Sequence, residues 1–220
     1  MKTPLLFAAL ASLGLAACGS NDDAPAATPV APAPTVTVSA LEAGSWSVSL
    51  GEETAPVVGQ YYAASDGTRT LVVDGDDARA SALYKGAADG SWKRVPAATA
   101  DTKLSFLHSA SLPLKTLDTA ALAGSYVVQV TGTGSPAAAA FSLAADGKIS
   151  AGNSACKLSG TLGNELVPGV RKLSLTTSAC SGLPASLQGI AVADREYAPV
   201  VLRFVLDDGS QLAELWAYAE

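Results

Sequence analysis

Residues 43–67, AGSWSVSLGEETAPVVGQYYAASDG, align without a gap with residues 123–147, AGSYVVQVTGTGSPAAAAFSLAADG. Ala43 is thereby aligned with Ala123, and eight of the 25 aligned positions are identical. A chain rich in Ala, Gly and Ser would give about two or three identities by chance. We interpret the two stretches as copies of one structural unit, with convergent hairpin composition as the alternative.

Each copy has the pattern of a β-hairpin. In residues 46–50 and 126–130, apolar residues recur at every second position, which is the period of a strand with one buried face. Asp-Gly ends each copy, and the dipeptide occurs at 66–67, 74–75, 89–90, 146–147 and 208–209. Beside such runs it predicts hairpin turns, because Gly tolerates the positive φ that these turns need.

The chain is therefore predicted to be all-β, an antiparallel sandwich or barrel-like fold of two related β units, residues 36–116 and 117–220. Residues 118–123 could form one helical turn, and residues 211–220, QLAELWAYAE, contain good helix formers. We predict the latter to be the last strand, paired through the turn at 208–209.

Residues 1–17 are organised like an export signal. Lys2 supplies a positive charge, residues 4–17 are uncharged and almost wholly apolar, and small residues precede Cys18. This apolar run is too short to span a bilayer, since a membrane-spanning helix needs about 20 residues. We expect residues 1–17 to be removed as a signal peptide.

Residues 15–18, Leu-Ala-Ala-Cys, resemble the lipobox of bacterial lipoproteins. The resemblance implies that the Cys18 sulfur carries diacylglycerol, that the chain is cut just before it, and that the membrane is reached through this lipid. Gly19 in place of Asp resembles the enterobacterial signal for release to the outer membrane. An ordinary signal peptide with a chance cysteine is the alternative.

Residues 18–35 contain the lipidated cysteine and a predicted tether. The stretch 19–34, GSNDDAPAATPVAPAP, is small, polar and spaced by proline, and cannot build a core. Fully extended, it would reach roughly 50 Å and hold a folded domain clear of a lipid surface.

The charge balance argues against nucleic acid as a partner. The chain has 14 Lys and Arg against 20 Asp and Glu, a net charge of −6, and loss of residues 1–17 would make it −7. The sequence contains no basic patch of the kind that binds phosphate backbones. Mild acidity mainly favours solubility.

The three cysteines divide into one anchor and one pair. With Cys18 assigned to lipid, Cys156 and Cys180 remain, and two such cysteines in an oxidising compartment are predicted to form a disulfide. A redox or metal-binding pair is the alternative, but the spacing is not CxxC and no histidine is near.

The second unit resembles a group of β-rich lipoproteins of proteobacteria that have no activity we can assign and often contain two such halves. The resemblance rests on residues 122–126, 141–147, 155–161 and 189–191 and on Cys180. These motifs are short and built from common residues, although the similarity extends over most of the mature chain. The resemblance implies no catalytic or ligand-binding residue.

Candidate catalytic groups are few. His108 is the one histidine and lies in an alternating run, 103–108, where a structural strand residue is the stronger interpretation than a general base. No GxSxG motif presents a nucleophile. The aspartates concentrate in Asp-Gly turns, where we expect water to keep their pKa values ordinary.

Cofactor motifs are weak as well. Residues 74–77, Asp-Gly-Asp-Asp, begin like a calcium loop, but Arg79 and Lys85 stand where that loop needs Gly and Glu. Residues 132–134, Gly-Thr-Gly, form an incomplete nucleotide-loop motif. We predict a solvated turn for 74–77 and expect no cofactor or metal.

Aromatic residues offer the remaining binding hypothesis. Trp46, Trp92, Trp216, Tyr61 and Tyr62 could form a binding face, although core or edge packing is the stronger interpretation for so few aromatic residues. If some are exposed, Tyr61 and Trp92 are the first candidates.

We therefore expect a lipid-anchored outer-membrane protein that acts as a non-catalytic binding or envelope-structural module, with an unknown protein or glycan partner. The second hypothesis is an inhibitor of a lysozyme- or protease-type enzyme. It requires an exposed loop that enters a foreign active site, and the uncharged loop 181–184 is a poor candidate. A hydrolase is the third and weakest hypothesis.

Overall fold

The computed structural model describes residues 32–130 and 137–220. The predicted signal peptide, Cys18, most of the tether and the Gly-Thr-Gly motif at 132–134 lie outside these ranges. Within the described part, residues Pro34–Glu220 form one compact unit. No helix in these ranges has the length and apolar character needed to cross a membrane.

The prediction of an all-β fold is confirmed. The strands before residue 112 are β1 (Val36–Val38), β2 (Gly44–Glu52), β3 (Ala55–Ala63), β4 (Arg69–Asp74), β5 (Ala80–Gly86), β6 (Trp92–Val95), β7 (Thr102–Leu104) and β8 (His108–Ser111). The later strands are β9 (Gly124–Val130), β10 (Ala137–Leu143), β11 (Lys148–Ala151), β12 (Lys157–Val167), β13 (Val170–Ser178), β14 (Ser186–Val192), β15 (Leu202–Asp207) and β16 (Leu212–Ala219). A 3₁₀ turn, Arg195–Tyr197, precedes β15.

The later strands form a closed antiparallel barrel of eight strands. They follow one another as a meander from β9 to β16, and β16 closes the barrel by pairing with β9, with Ala217 opposite Val128. The segment 211–220 is thus a strand, as predicted, and the 208–209 turn connects it to β15. Closure leaves no free edge in this sheet.

The earlier strands form an open six-stranded sheet in the order β6-β5-β4-β3-β2-β8. Here the last strand, β8, also returns to the first hairpin, because it pairs antiparallel with β2. Strands β1 and β7 form a separate parallel pair. Two edges of the six-stranded sheet, β6 and β8, therefore stay open.

The two aligned stretches have the same pairing register. Trp46 lies opposite Tyr61 in the first hairpin, and Tyr126 lies opposite Phe141, their aligned counterparts, in the second. The ring of Trp46 donates to the carbonyl of Glu42, and the Tyr126 hydroxyl donates likewise to that of Leu122. These shared details support an interpretation of the two stretches as related units.

The Asp-Gly turns also repeat. At Gly67, Gly90 and Gly147, with φ of 86–87°, a three-residue loop ends in a glycine in the left-handed region, and the preceding aspartate accepts from the backbone N–H two residues on. The turn predicted at 74–75 instead lies at residues 76–78. There the left-handed residue is Ala78, with φ of 58°, and Asp77 takes the aspartate position.

Several turn aspartates do not have the ordinary pKa values that we expected. Hydrogen bonds from Thr68, Ser91 and Gln211 lower the pKa of Asp66, Asp89 and Asp208, respectively. A lowered pKa in the folded state means that the carboxylate stabilises the fold above its unfolded pKa. This contribution is lost as the pH falls through the folded pKa.

Apolar side chains form three clusters. The largest fills the barrel and includes Tyr126, Phe141, Leu158 and Phe204. The second lies between the outer surface of the barrel and one face of the open sheet, and its members are Tyr62, Val72, Leu83, Val167, Val170, Ile190, Val192 and Val205. The third covers the opposite face of the sheet and includes Val48, Tyr61 and Leu71, with side chains from β1 and β7 packed against it.

A disulfide joins Cys156 to Cys180, the pair predicted from the cysteine count. Cys156 immediately precedes β12 and is buried in the barrel core, while Cys180 follows β13. The bond therefore ties together the beginning of one barrel strand and the end of its neighbour.

Candidate functional site

Arg203 is the centre of a buried polar network between the barrel and the sheet. Its neighbours on β15, Leu202 and Phe204, belong to the barrel core, and strand alternation therefore directs Arg203 outward against the sheet. Its guanidinium donates to Asp74 at 2.6 Å and to Glu214 at 2.6 Å, and its side chain is 2% exposed.

The sheet and the barrel share this network. Gln60 of β3 accepts from Arg203 at 3.2 Å and donates to Asp74 at 2.9 Å. On the barrel side, the Tyr197 hydroxyl accepts from Arg203 at 3.0 Å, and Glu214 accepts from the backbone N–H of Ala80 at 3.3 Å. The rings of Tyr197 and Trp216 flank the guanidinium with centroids 5.3 and 5.9 Å away.

The electrostatics favour a permanently charged Arg203. Burial lowers its pKa, but the carboxylate of Glu214, with Tyr197 and Asp74, outweighs burial and raises the pKa. A second ion pair lies nearby, where the Lys85 ammonium on β5 contacts both carboxylate oxygens of the buried Asp207 at 2.6 and 2.7 Å. These contacts hold the two sheets together, and we assign them a structural role.

A groove of about 780 Å³ opens beside one end of the barrel. Its walls are the connection between β8 and β9 and the loop between β14 and β15. The apolar lining residues are Pro113, Leu114, Leu117, Ala121, Leu122, Ala193, Ala198, Pro199, Val200 and Val201. Leu122, Ala193 and Val201 also pack against the barrel core, which places the groove at the end of that core.

Hydrogen bonds attach one wall of the groove, the connection between β8 and β9, to the barrel. Glu165 accepts from the backbone N–H of Leu117 at 2.8 Å and from that of Gly169 at 3.2 Å. Arg171 donates to the Leu117 carbonyl at 3.1 Å. At Gly169, with φ of 82°, a Cβ atom would approach the Leu114 side chain to 2.6 Å, so a glycine is required for this contact.

The rim of the groove is polar. Asp118 and Asp194 each accept from a backbone N–H two residues on and thereby shape the two loops. Lys115 and Arg195 form no ion pair with another described residue and leave their donors available at the rim. An apolar body with a few polar groups at its margin is typical of small-molecule sites.

A smaller cleft of about 280 Å³ lies between the sheet and the outer surface of the barrel. Thr70 and Lys85 line it from the sheet, and Lys172, Ser174 and Gln188 from the barrel. It has less than half the volume of the groove, and we do not assign it a ligand.

The structure separates the candidate catalytic residues from the groove. His108 lies on β8, an exposed edge strand, and does not line the groove. In the stretch 74–77, Asp74 pairs with Arg203 rather than turning to solvent, so the prediction of a solvated turn is wrong for this residue. No group of three or more His, Cys, Asp or Glu side chains in residues 32–130 and 137–220 is placed to hold a metal ion.

The aromatic residues do not form one face. Tyr61 and Tyr62 are buried, so the hypothesis that Tyr61 is an exposed binding residue is wrong. Trp92 is half-buried with its ring 6.3 Å from that of Tyr61, and Trp216 packs on Tyr197. The groove had no signal in the sequence that we recognised, because its walls come from two irregular connections.

No family model, no curated protein and no solved structure matches the chain.

Proposed function

We propose that this chain is a lipid-anchored protein of the outer membrane whose folded unit binds a small amphipathic molecule without transforming it. The observation that carries the proposal is the groove beside the barrel end. Its volume falls within the roughly 300–1,000 Å³ of typical ligand pockets, and its walls are mainly aliphatic. Lys115 and Arg195 supply hydrogen-bond donors for a polar end of the ligand.

The hydrogen bonds of this wall support a preformed site. The backbone N–H and carbonyl of Leu117 are bound by Glu165 and Arg171, so the wall is already ordered before a ligand enters. Preorganisation of this kind lowers the cost of binding.

Ligand binding in the groove is tested with a fluorescent probe and with a tryptophan substitution that would occupy the groove. We expect the mature protein carrying Cys18→Ser to bind N-phenyl-1-naphthylamine, a neutral fluorescent apolar probe, at one saturable site. Ala121 lines the groove and is exposed, so Ala121→Trp should weaken this binding at least tenfold. The matched control is Ala120→Trp, at an exposed neighbouring residue outside the lining, which should leave the affinity unchanged. Equal affinity in both variants, or no saturable binding in the parent protein, would contradict the proposal.

The anchor is tested separately. Cys18→Ser should abolish incorporation of labelled palmitate and leave a soluble protein or an unprocessed precursor, because it removes the sulfur that carries the lipid. The control is Cys156→Ser, which keeps the lipobox and should label normally. Labelling that persists in Cys18→Ser would disprove the lipoprotein assignment.

A further inference from the structure

The hairpin of β2 and β3 extends beyond the rest of its sheet. Its pairing continues to Glu52 opposite Ala55, across a two-residue turn. The neighbouring strands stop earlier, because β8 pairs with β2 only as far as Ser49 and β4 pairs with β3 only from Gly59. Residues 50–58 therefore form a two-stranded ribbon with the buried Leu50 at its base and residues 51–58 exposed. It projects by about 13 Å, the length of about four strand residues.

This ribbon carries exposed apolar side chains on both faces. Val57 and Val58 are 40% and 52% exposed, and among the described residues they are the exposed large hydrophobic side chains. Consecutive strand residues point to opposite faces, so the two valines lie on different sides of the ribbon. A flat partner surface would cover one of them, whereas a cleft would cover both.

The end of the ribbon is acidic. Glu52 and Glu53 are exposed, and neither forms an ion pair with another described residue. A cleft that received the valines would therefore have to present positive charge at its rim to complement these carboxylates.

The second hairpin provides an internal comparison. In the alignment of the two stretches, Val57 and Val58 correspond to Ala137 and Ala138, and the two glutamates correspond to Gly132 and Thr133. The paired strands of both hairpins nevertheless have the same register. Valines are thus not needed to pair the strands at this place in the unit, and their presence in the first hairpin calls for another explanation.

We infer that the ribbon 50–58 is a docking element that inserts into an apolar cleft with a basic rim on a partner protein. The valines would fill the cleft from both sides of the ribbon, and the glutamates would orient it electrostatically. This inference does not depend on the groove, which lies in different loops.

Site-specific photocrosslinking tests the inference. Benzoylphenylalanine is placed at Val57, at Val58 and, as the matched control, at exposed Ala138 of the second hairpin, and cells that make the full chain are irradiated. We expect one partner protein to be crosslinked at 57 and 58, with a yield at least tenfold lower at 138. Peptide mapping should place the adduct in a cleft bordered by Lys or Arg.

Charge reversal and salt complete the test. Glu52→Lys with Glu53→Lys should reduce the adduct at least tenfold, and the wild-type adduct should weaken as ionic strength rises. A melting temperature within about 2 °C of wild type would show that the fold is intact. Equal crosslinking at 138, insensitivity to both charge reversal and salt, no protein adduct at either valine, or crosslinking only to lipid or to a second copy of this chain would overturn the inference.

Discussion

Replacing Arg203 by alanine should lower the free energy of unfolding by about 3–5 kcal/mol, the cost of removing one partner from a buried ion pair. The variant would leave Asp74 and Glu214 without their main cation, at the contact between sheet and barrel. It would also remove the donors that reach Gln60 and Tyr197. Urea-induced unfolding, followed by tryptophan fluorescence and circular dichroism, measures the loss.

The matched control is Arg195→Ala, which removes an exposed arginine outside the network and should change the free energy by less than about 0.5 kcal/mol. A double variant, Arg203→Met with Glu214→Met, should recover part of the loss, because it also removes one of the stranded carboxylates. A loss below about 1 kcal/mol in Arg203→Ala would show that water reaches the network and screens it.

Loss of the disulfide should have an effect of similar size. Cys156→Ala is expected to lower the free energy of unfolding by about 2–5 kcal/mol, since the bond closes a loop with a sequence separation of 24 and so restricts the unfolded chain. Denaturant unfolding with and without a reducing agent measures it. The reductant should destabilise the wild type by nearly as much and leave the variant unchanged.

Non-reducing peptide mapping supplies the independent check. It should recover Cys156 linked to Cys180 and no free thiol from either residue. The double variant Cys156→Ala with Cys180→Ala should be about as stable as the single variant, because the second substitution removes no further bond. Quantitative alkylation of both cysteines in the native protein would contradict the assignment.

Local patterns in the sequence were sufficient to predict the all-β class, a few of the strands and four of the five Asp-Gly turns. The alternation in residues 46–50 correctly identified the buried positions Val48 and Leu50, and the Asp-Gly pairs at 66–67 and 146–147 correctly identified turns. Each of these features depends on contacts within a few residues of the chain. The turn near Ala78 was misplaced for the same reason, since its strand register overrides the preference of Gly75.

Features that depend on contacts between distant strands could not be predicted from local sequence patterns. A period of two specifies which side chains share a face but does not specify what covers that face. In β15, the polar residues Arg203 and Asp207 lie on the outer face of the barrel, yet the open sheet covers them and both are buried. Their pairing with Asp74 and Lys85 joins parts of the chain that are far apart in sequence, with separations of 129 and 122.

The sequence by itself determined an all-β chain, its repeated hairpin and turn, and a cysteine pair, because these follow from short-range conformational preference and residue count. Only the tertiary structure decided that the second unit closes into a barrel while the first stays open, since closure depends on the pairing of β16 with β9, the last barrel strand with the first. It likewise decided the groove and the projecting ribbon. The groove lies between two irregular connections, and the ribbon arises where the neighbouring strands end before the hairpin does. A periodic pattern contains no information about either feature.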